Sequence, residues 1–155
     1  MTVGAGSSLG KRLLASNAPA AVLLVRGLVG AVCLSEGIQK FLFPDTLGVG
    51  RFLKIGIPWP SVMAPCVGVV EIVCGLLVTV GLLTRGAAAL LVIDMLVAIA
   101  TTKVPILLKS GFWAMAHEAR TDWSMLLGSA FLIAVGAGRL SLDARVARAS
   151  TGRDG

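Results

Sequence analysis

The chain has 155 residues, 56% of them hydrophobic and only 14% charged, and its mean hydropathy of +0.90 excludes a soluble domain of this length. The 14 Lys and Arg outnumber the 8 Asp and Glu, but no basic cluster is interleaved with aromatics. The +6 balance therefore points to anionic membrane lipids as contacts, not to nucleic acid.

Apolar residues gather into four blocks, 20–41, 62–83, 87–108 and 123–138, and a helix needs about 20 such residues to cross the hydrocarbon core. The expected fold is all-α, an integral membrane four-helix bundle with an interfacial amphipathic segment between the first and second helices. Residues 1–19 read as a flexible lead, 20–143 as a single transmembrane domain, and 144–155, which alternate Arg and Ala with Ser, Gly and Asp, as a disordered tail. Lys11 and Arg12 precede the first block as in a secretion signal. However, Arg26 interrupts it and no A-x-A site follows, so the block reads as retained.

Orientation is weakly specified. Lys11, Arg12, Arg85, Arg139, Arg145, Arg148 and Arg153 fall on the side of the termini, against Lys40, Arg51, Lys54, Lys103, Lys109 and Arg120 on the other. This count places both termini in the cytoplasm by a small margin.

At about 100° per residue, Arg26, Gly30, Cys33, Gly37 and Lys40 form one narrow stripe on the first helix. Ala64, Gly68, Glu71, Gly75 and Val78 do the same on the second, Ala87, Asp94, Ala98 and Thr101 on the third, and Ser124, Gly128 and Phe131 on the fourth. Small and charged residues sharing a face predict interhelical contact.

Glu71 lies near mid-span, where an unpaired charge costs about 3 kcal/mol even on the mildest insertion scale. The expected partner is Arg26 in a bidentate pair, with Asp94 accepting from the same guanidinium or through water. Glu36 and Lys40, at i and i+4, form a second expected pair. These two bases face three acids, which leaves one carboxyl to hold a proton unless Lys103 joins them. A proton-holding carboxyl beside a cation suits proton handling, and the same charges can also serve only to fix which helices pack together.

Other chemistry is poorly represented. The only histidine, His117, lies in a connecting loop, so a bis-histidine haem inside the bundle is excluded. Cys33, Cys66 and Cys74 form no C-x-x-C pair and read as small buried hydrophobes. No metal site is expected.

The connection from Phe41 to Ser61, FLFPDTLGVGRFLKIGIPWPS, is long for a structureless loop and rich in apolar side chains. It is expected to lie at the membrane surface with a short helix over residues 46–54 and Trp59 at head-group depth. The 103–122 loop, with Trp113, lies on the same side. Together the two loops are expected to roof an apolar cavity reached from the lipid, of the kind a quinone would need. The candidate catalytic residues are thus Arg26, Glu71 and Asp94, with Glu36, Lys40, Trp59, Lys103 and Trp113 as candidate substrate-binding residues.

Several motifs, in order and spacing, resemble the DoxX family of small four-helix membrane proteins. They are Arg26 with EGIQK at residues 36–40, GIPWP at 56–60, VEIVCG at 70–75, GLLTR at 81–85, MLVAI at 95–99 and GRLSLD at 138–143. One departure is Lys103, where the resemblance implies a histidine in many relatives. The resemblance implies a membrane subunit of an oxidoreductase complex, since the name-giving members are similar to the membrane part of a thiosulfate:quinone oxidoreductase. It also implies further protein subunits that supply other cofactors, with quinone as the molecule met in the membrane. Two other readings stand beside it: a non-catalytic anchor or assembly subunit, and a small transporter or lipid-modifying enzyme.

Overall fold

The structure, a computed structural model, describes residues 19–151; the expected lead falls almost wholly outside them. The described residues form α1 (Val22–Leu42), α2 (Val49–Lys54), α3 (Pro60–Val80), α4 (Thr84–Ala98), a π-helical turn (Ile99–Lys103), α5 (Val104–Ser110), α6 (Phe112–Glu118), α7 (Arg120–Val135) and α8 (Leu142–Thr151). From α4 to α5 the chain runs as one helix, and α1, α3 and this Thr84–Ser110 helix are long and apolar enough to cross a membrane. With 16 residues, α7 is about 24 Å long. α6 precedes it with only Ala119 between them.

The four long elements close a ring in which α1 packs on α3, α3 on α4, α4 on α7 and α7 on α1. The tightest seam is α1 on α3, and glycine makes it possible. A Cβ at Gly75 would lie 2.8 Å from the Leu34 nitrogen and 2.9 Å from the Gly30 oxygen, and one at Gly37 would lie 2.7 Å from the Gly68 oxygen. All these neighbours are backbone, so the two helices are in van der Waals contact along their axes, as small-residue stripes predict. The remaining circumference is apolar and exposed, Leu24, Leu28, Ile93 and Leu127 among it, which is what a lipid-facing surface requires. The chain is a multi-pass membrane protein.

Element boundaries follow local chemistry. Pro44 stops α1 because it cannot donate a backbone hydrogen bond, and Pro60 starts α3 where that donor is not needed. α3 ends in a Schellman motif: Gly81, at φ +72°, donates to the Val78 carbonyl while Leu82 donates to the Leu77 carbonyl. The next residue but one, Leu83, also has positive φ, a conformation costly for a side chain with a Cβ. Asp143 offsets that cost: its two carboxylate oxygens accept from the Leu83 and Thr84 amides at 2.7 and 3.0 Å.

Three expectations are corrected. The buried face of the fourth helix is Met125, Ser129 and Leu132, one residue on from the predicted Ser124, Gly128 and Phe131; of those Gly128 lies against Val29 of α1, while Ser124 and Phe131 are exposed. Bulky apolar residues all round this helix leave the small-residue pattern too faint to fix its rotation. The region expected to fray from Ala144 is helical to Thr151, because Asp143 fixes its first turn to the 83–84 bend. The third span begins and ends beyond the predicted 87–108, since Asp143 holds the Thr84 amide at the start of the helix and the π turn carries the helix past Lys103 to Ser110.

Candidate functional site

Arg26 does not meet Glu71. Its guanidinium is 1% exposed and is spent on four backbone carbonyls: Nε donates to Val78 at 2.9 Å, Nη1 to Ala137 at 3.1 Å and Leu140 at 2.6 Å, and Nη2 to Thr79 at 2.7 Å. Val78 and Thr79 lie in the last turn of α3, where carbonyls lack intrahelical partners and the helix dipole favours a cation. Arg26 therefore ties α1, the end of α3 and the 137–140 linker together at the termini-bearing end of the bundle. The nearest carboxylate whose charge it feels is Asp143, and Glu36 is about 15 Å away along α1. The sequence supplied the right cation and the wrong partner, because counting faces ignores depth: Arg26 and Glu71 share an interface but not a level.

The cation beside Glu71 is Lys40. Its Nζ donates to the Glu71 carboxylate at 2.5 Å, with both side chains largely buried, so the expected Glu36–Lys40 pair gives way to one between α1 and α3. Glu71 is 3% exposed, and a carboxylate at that depth is tolerable only with such a partner. Gly37 and Gly68 bring the helices close enough for Lys40 to reach across. Asp94, from α4, lies directly beside the Glu71 carboxyl and near enough for the Lys40 charge to act on it, and its Oδ2 is buried and meets no donor among the described residues.

These groups line a cavity of about 280 Å³ at the end of the bundle opposite Arg26. Its walls are α1, α3, the third helix and α7. Its cover comes from Leu47, Arg51, Phe52, Ile55 and Ile57 of the long connection and, across the region expected as a second loop, from Glu118 of α6 and Thr121 and Asp122 in the first turn of α7. Two connections thus roof a cavity, as expected, and the predicted short helix is present as α2. The lining differs from the apolar one expected. Glu36, Glu71, Asp94, Glu118 and Asp122 face it with Lys40, Arg51 and Lys103, while Val32, Val67, Met95 and Val97 supply an apolar wall.

Lys103 enters through the π turn. The wide turn at Ile99–Lys103 sets Thr101, Thr102 and Lys103 against the cavity. The hydroxyls of Thr101 and Thr102 donate to the Val97 and Ala98 carbonyls at 2.8 and 2.6 Å, satisfying oxygens that a regular α-helix would bond by its own amides. Lys103, 5% exposed, pairs with Asp122 of α7 at 3.2 Å. Of the predicted substrate-binding residues, Glu36, Lys40 and Lys103 line the cavity. Trp59 and Trp113 do not: they are 75% and 83% exposed, and their rings stand outside the bundle as interfacial tryptophans do.

Asp122, Arg51 and the Thr101–Thr102 pair were not among the sequence-derived site residues. Nothing in the spacing of the sequence reveals that a wide turn brings Lys103 to Asp122.

Residues 21–104 match the family model described as DoxX. The chain is 56% identical over 146 residues to "Uncharacterized membrane protein Rv3486" of Mycobacterium tuberculosis, covering 90% of each chain. It is 33% identical over 121 residues to "Putative oxidoreductase CatD" of Bacillus subtilis, covering 78% of this chain and 83% of that one. No solved structure matches the chain.

Proposed function

The chain belongs to the DoxX family of membrane proteins, and from that premise we propose that it is the membrane subunit of an oxidoreductase complex. Its role would be to bind a quinone head group in the Lys40–Glu71–Asp94 cavity and to handle the accompanying protons. The observation that carries the reading is a second buried carboxyl, Asp94, set directly beside the Lys40–Glu71 pair, its Oδ2 meeting no donor among the described residues, in a space of about 280 Å³.

The residues fit such a head group. Val32, Val67, Met95 and Val97 offer an apolar flank for a ring, Lys40 is a donor for a ring oxygen, and Asp94 is a carboxyl able to exchange a proton with one. A bound quinone supplies a two-electron, two-proton redox couple. Lys40, held by Glu71, stays oriented towards the cavity, and the Lys103–Asp122 pair holds α7 against the third helix over its mouth. The apolar cover from Phe52, Ile55 and Ile57 limits water, which strengthens each of these polar contacts. Electrons would come from a partner subunit, and the name of the Bacillus subtilis relative is in keeping with an oxidoreductase assignment.

The test is extraction of lipids from the protein purified in mild detergent, with quinone measured per chain. Wild type is expected to carry quinone and Lys40→Met to lose most of it; wild type without quinone rejects the reading.

A second reading is favoured by the charge of the wall, where five acids face three bases: a small polar cation would be the ligand, as in a transporter. Retention of an organic cation by wild type, abolished by Asp94→Asn while quinone is absent, would select it.

A further inference from the structure

The C-terminal helix α8 is barely attached to the bundle, yet its sequence is far from featureless. Its inner side is set by Asp143, which is 2% exposed, donates its own amide to the Gly81 carbonyl at 2.8 Å and holds the Leu83 and Thr84 amides. These contacts fix where the helix starts and leave the rest of it without substantial packing on the spans.

Its outer side is amphipathic. At about 100° per residue, Leu142, Val146 and Ala149 form one stripe, and Arg145 and Arg148 form the strip beside it. All five are exposed, Leu142 at 38% and Val146 at 47%. In water, an apolar stripe of this kind would be a liability. At the end of a membrane bundle it continues the lipid-facing surface, since the 81–84 bend and the 136–141 linker, which hold its first turn, are the points where the spans leave the hydrocarbon. Arginine flanking such a stripe places positive charge at the depth of phosphate groups.

We infer that α8 is a head-group sensor: it lies along the membrane surface with Leu142, Val146 and Ala149 at the acyl boundary and Arg145 and Arg148 on the phosphates of anionic phospholipid. The partner is an anionic lipid surface, chosen by the two arginines together. A polar or acidic protein partner would leave the apolar stripe unburied, and a neutral lipid surface would leave the arginines without counter-charges. The inference is independent of the quinone proposal, since it concerns the opposite end of the bundle.

Backbone amide exchange tests it on the full chain. The protein is placed in nanodiscs of phosphatidylcholine alone and in nanodiscs containing phosphatidylglycerol, and exchange is followed over residues 142–149. Two arginines near an anionic surface are expected to slow exchange by about 10-fold or more in the anionic discs, and raised salt should shrink the difference. In Arg145→Gln/Arg148→Gln, exchange should be the same in both discs, with the spans protected as in wild type. Equal exchange of the wild-type helix in the two discs overturns the inference, and so does a lipid difference that survives the double substitution.

Discussion

Replacing Arg26 by Met removes a cation of similar length and leaves its hydrophobic stem in place. The carbonyls of Thr79, Ala137 and Leu140 lose this donor together, and that of Val78 keeps only the longer bond from the Gly81 amide. A hydrogen bond from a charged donor is worth about 1.5–3 kcal/mol, and an orphaned buried acceptor costs about 1–3 kcal/mol. These effects do not add within one network. Water reaching the exposed Leu140 and Thr79 backbone recovers part of the loss, so a net cost of about 3–5 kcal/mol is expected, close to that of breaking a buried ionic group. For a chain of this size that corresponds to a fall of roughly 10 °C in the thermal midpoint, read by circular dichroism in detergent. Arg26→Lys, with three donors on a flexible stem, should recover part of the midpoint. Quinone carried per folded chain should be the same in wild type and in Arg26→Met, because the guanidinium lies at the other end of the bundle from the cavity. A variant that melts like wild type but has lost its quinone would refute the assignment of Arg26 to structure.

Substitutions at four further positions probe the pair, the packing and the bend. Lys40→Met should destabilise the fold by about 3–5 kcal/mol by stranding Glu71, and Lys40→Met/Glu71→Gln should recover more than half of that; equal melting of the single and double variants would contradict the pairing. Gly75→Val should lower the midpoint by the equivalent of about 2–3 kcal/mol, because its Cβ meets backbone of α1 at 2.8 Å and 2.9 Å and the helices must separate; an unchanged midpoint would contradict the close seam. Asp143→Ala should cost about 2–3 kcal/mol by freeing two amides of a strained bend, with exchange at Leu83 and Thr84 rising well before that of the spans.

Much of the bundle was legible in the sequence because hydrophobic length and small-residue periodicity act locally. The stripe Arg26, Gly30, Cys33 and Gly37 is buried, and so is Ala64, Gly68, Glu71, Gly75 and Val78, since a helix offers only one face that admits both glycine contacts and charge. The pairing of charges was less legible. It depends on axial depth, and Lys40 wins Glu71 from Arg26 because Gly37 and Gly68 align their level, whereas Arg26 is drawn to the carbonyls that end α3. The Lys103–Asp122 pair was illegible for a different reason: a π turn shifts every later side chain by about 100°, and no residue in the Ile99–Lys103 stretch requires it. Asp143 was visible within a family motif, but its work on the Leu83 bend appears only when a non-glycine residue is found at positive φ.

The central claim, that a ring-sized lipophilic ligand sits among Lys40, Glu71 and Asp94, is tested most directly by photolabelling. A short-chain azidoquinone is irradiated with the protein in native membranes, and the attachment sites are mapped by mass spectrometry. Labels should fall on the cavity walls, within residues 32–40, 67–71 and 94–102, and should decline when unlabelled quinone is added in excess. Labels spread over the lipid-facing Leu24, Leu28 and Ile93, and insensitive to competitor, would contradict it.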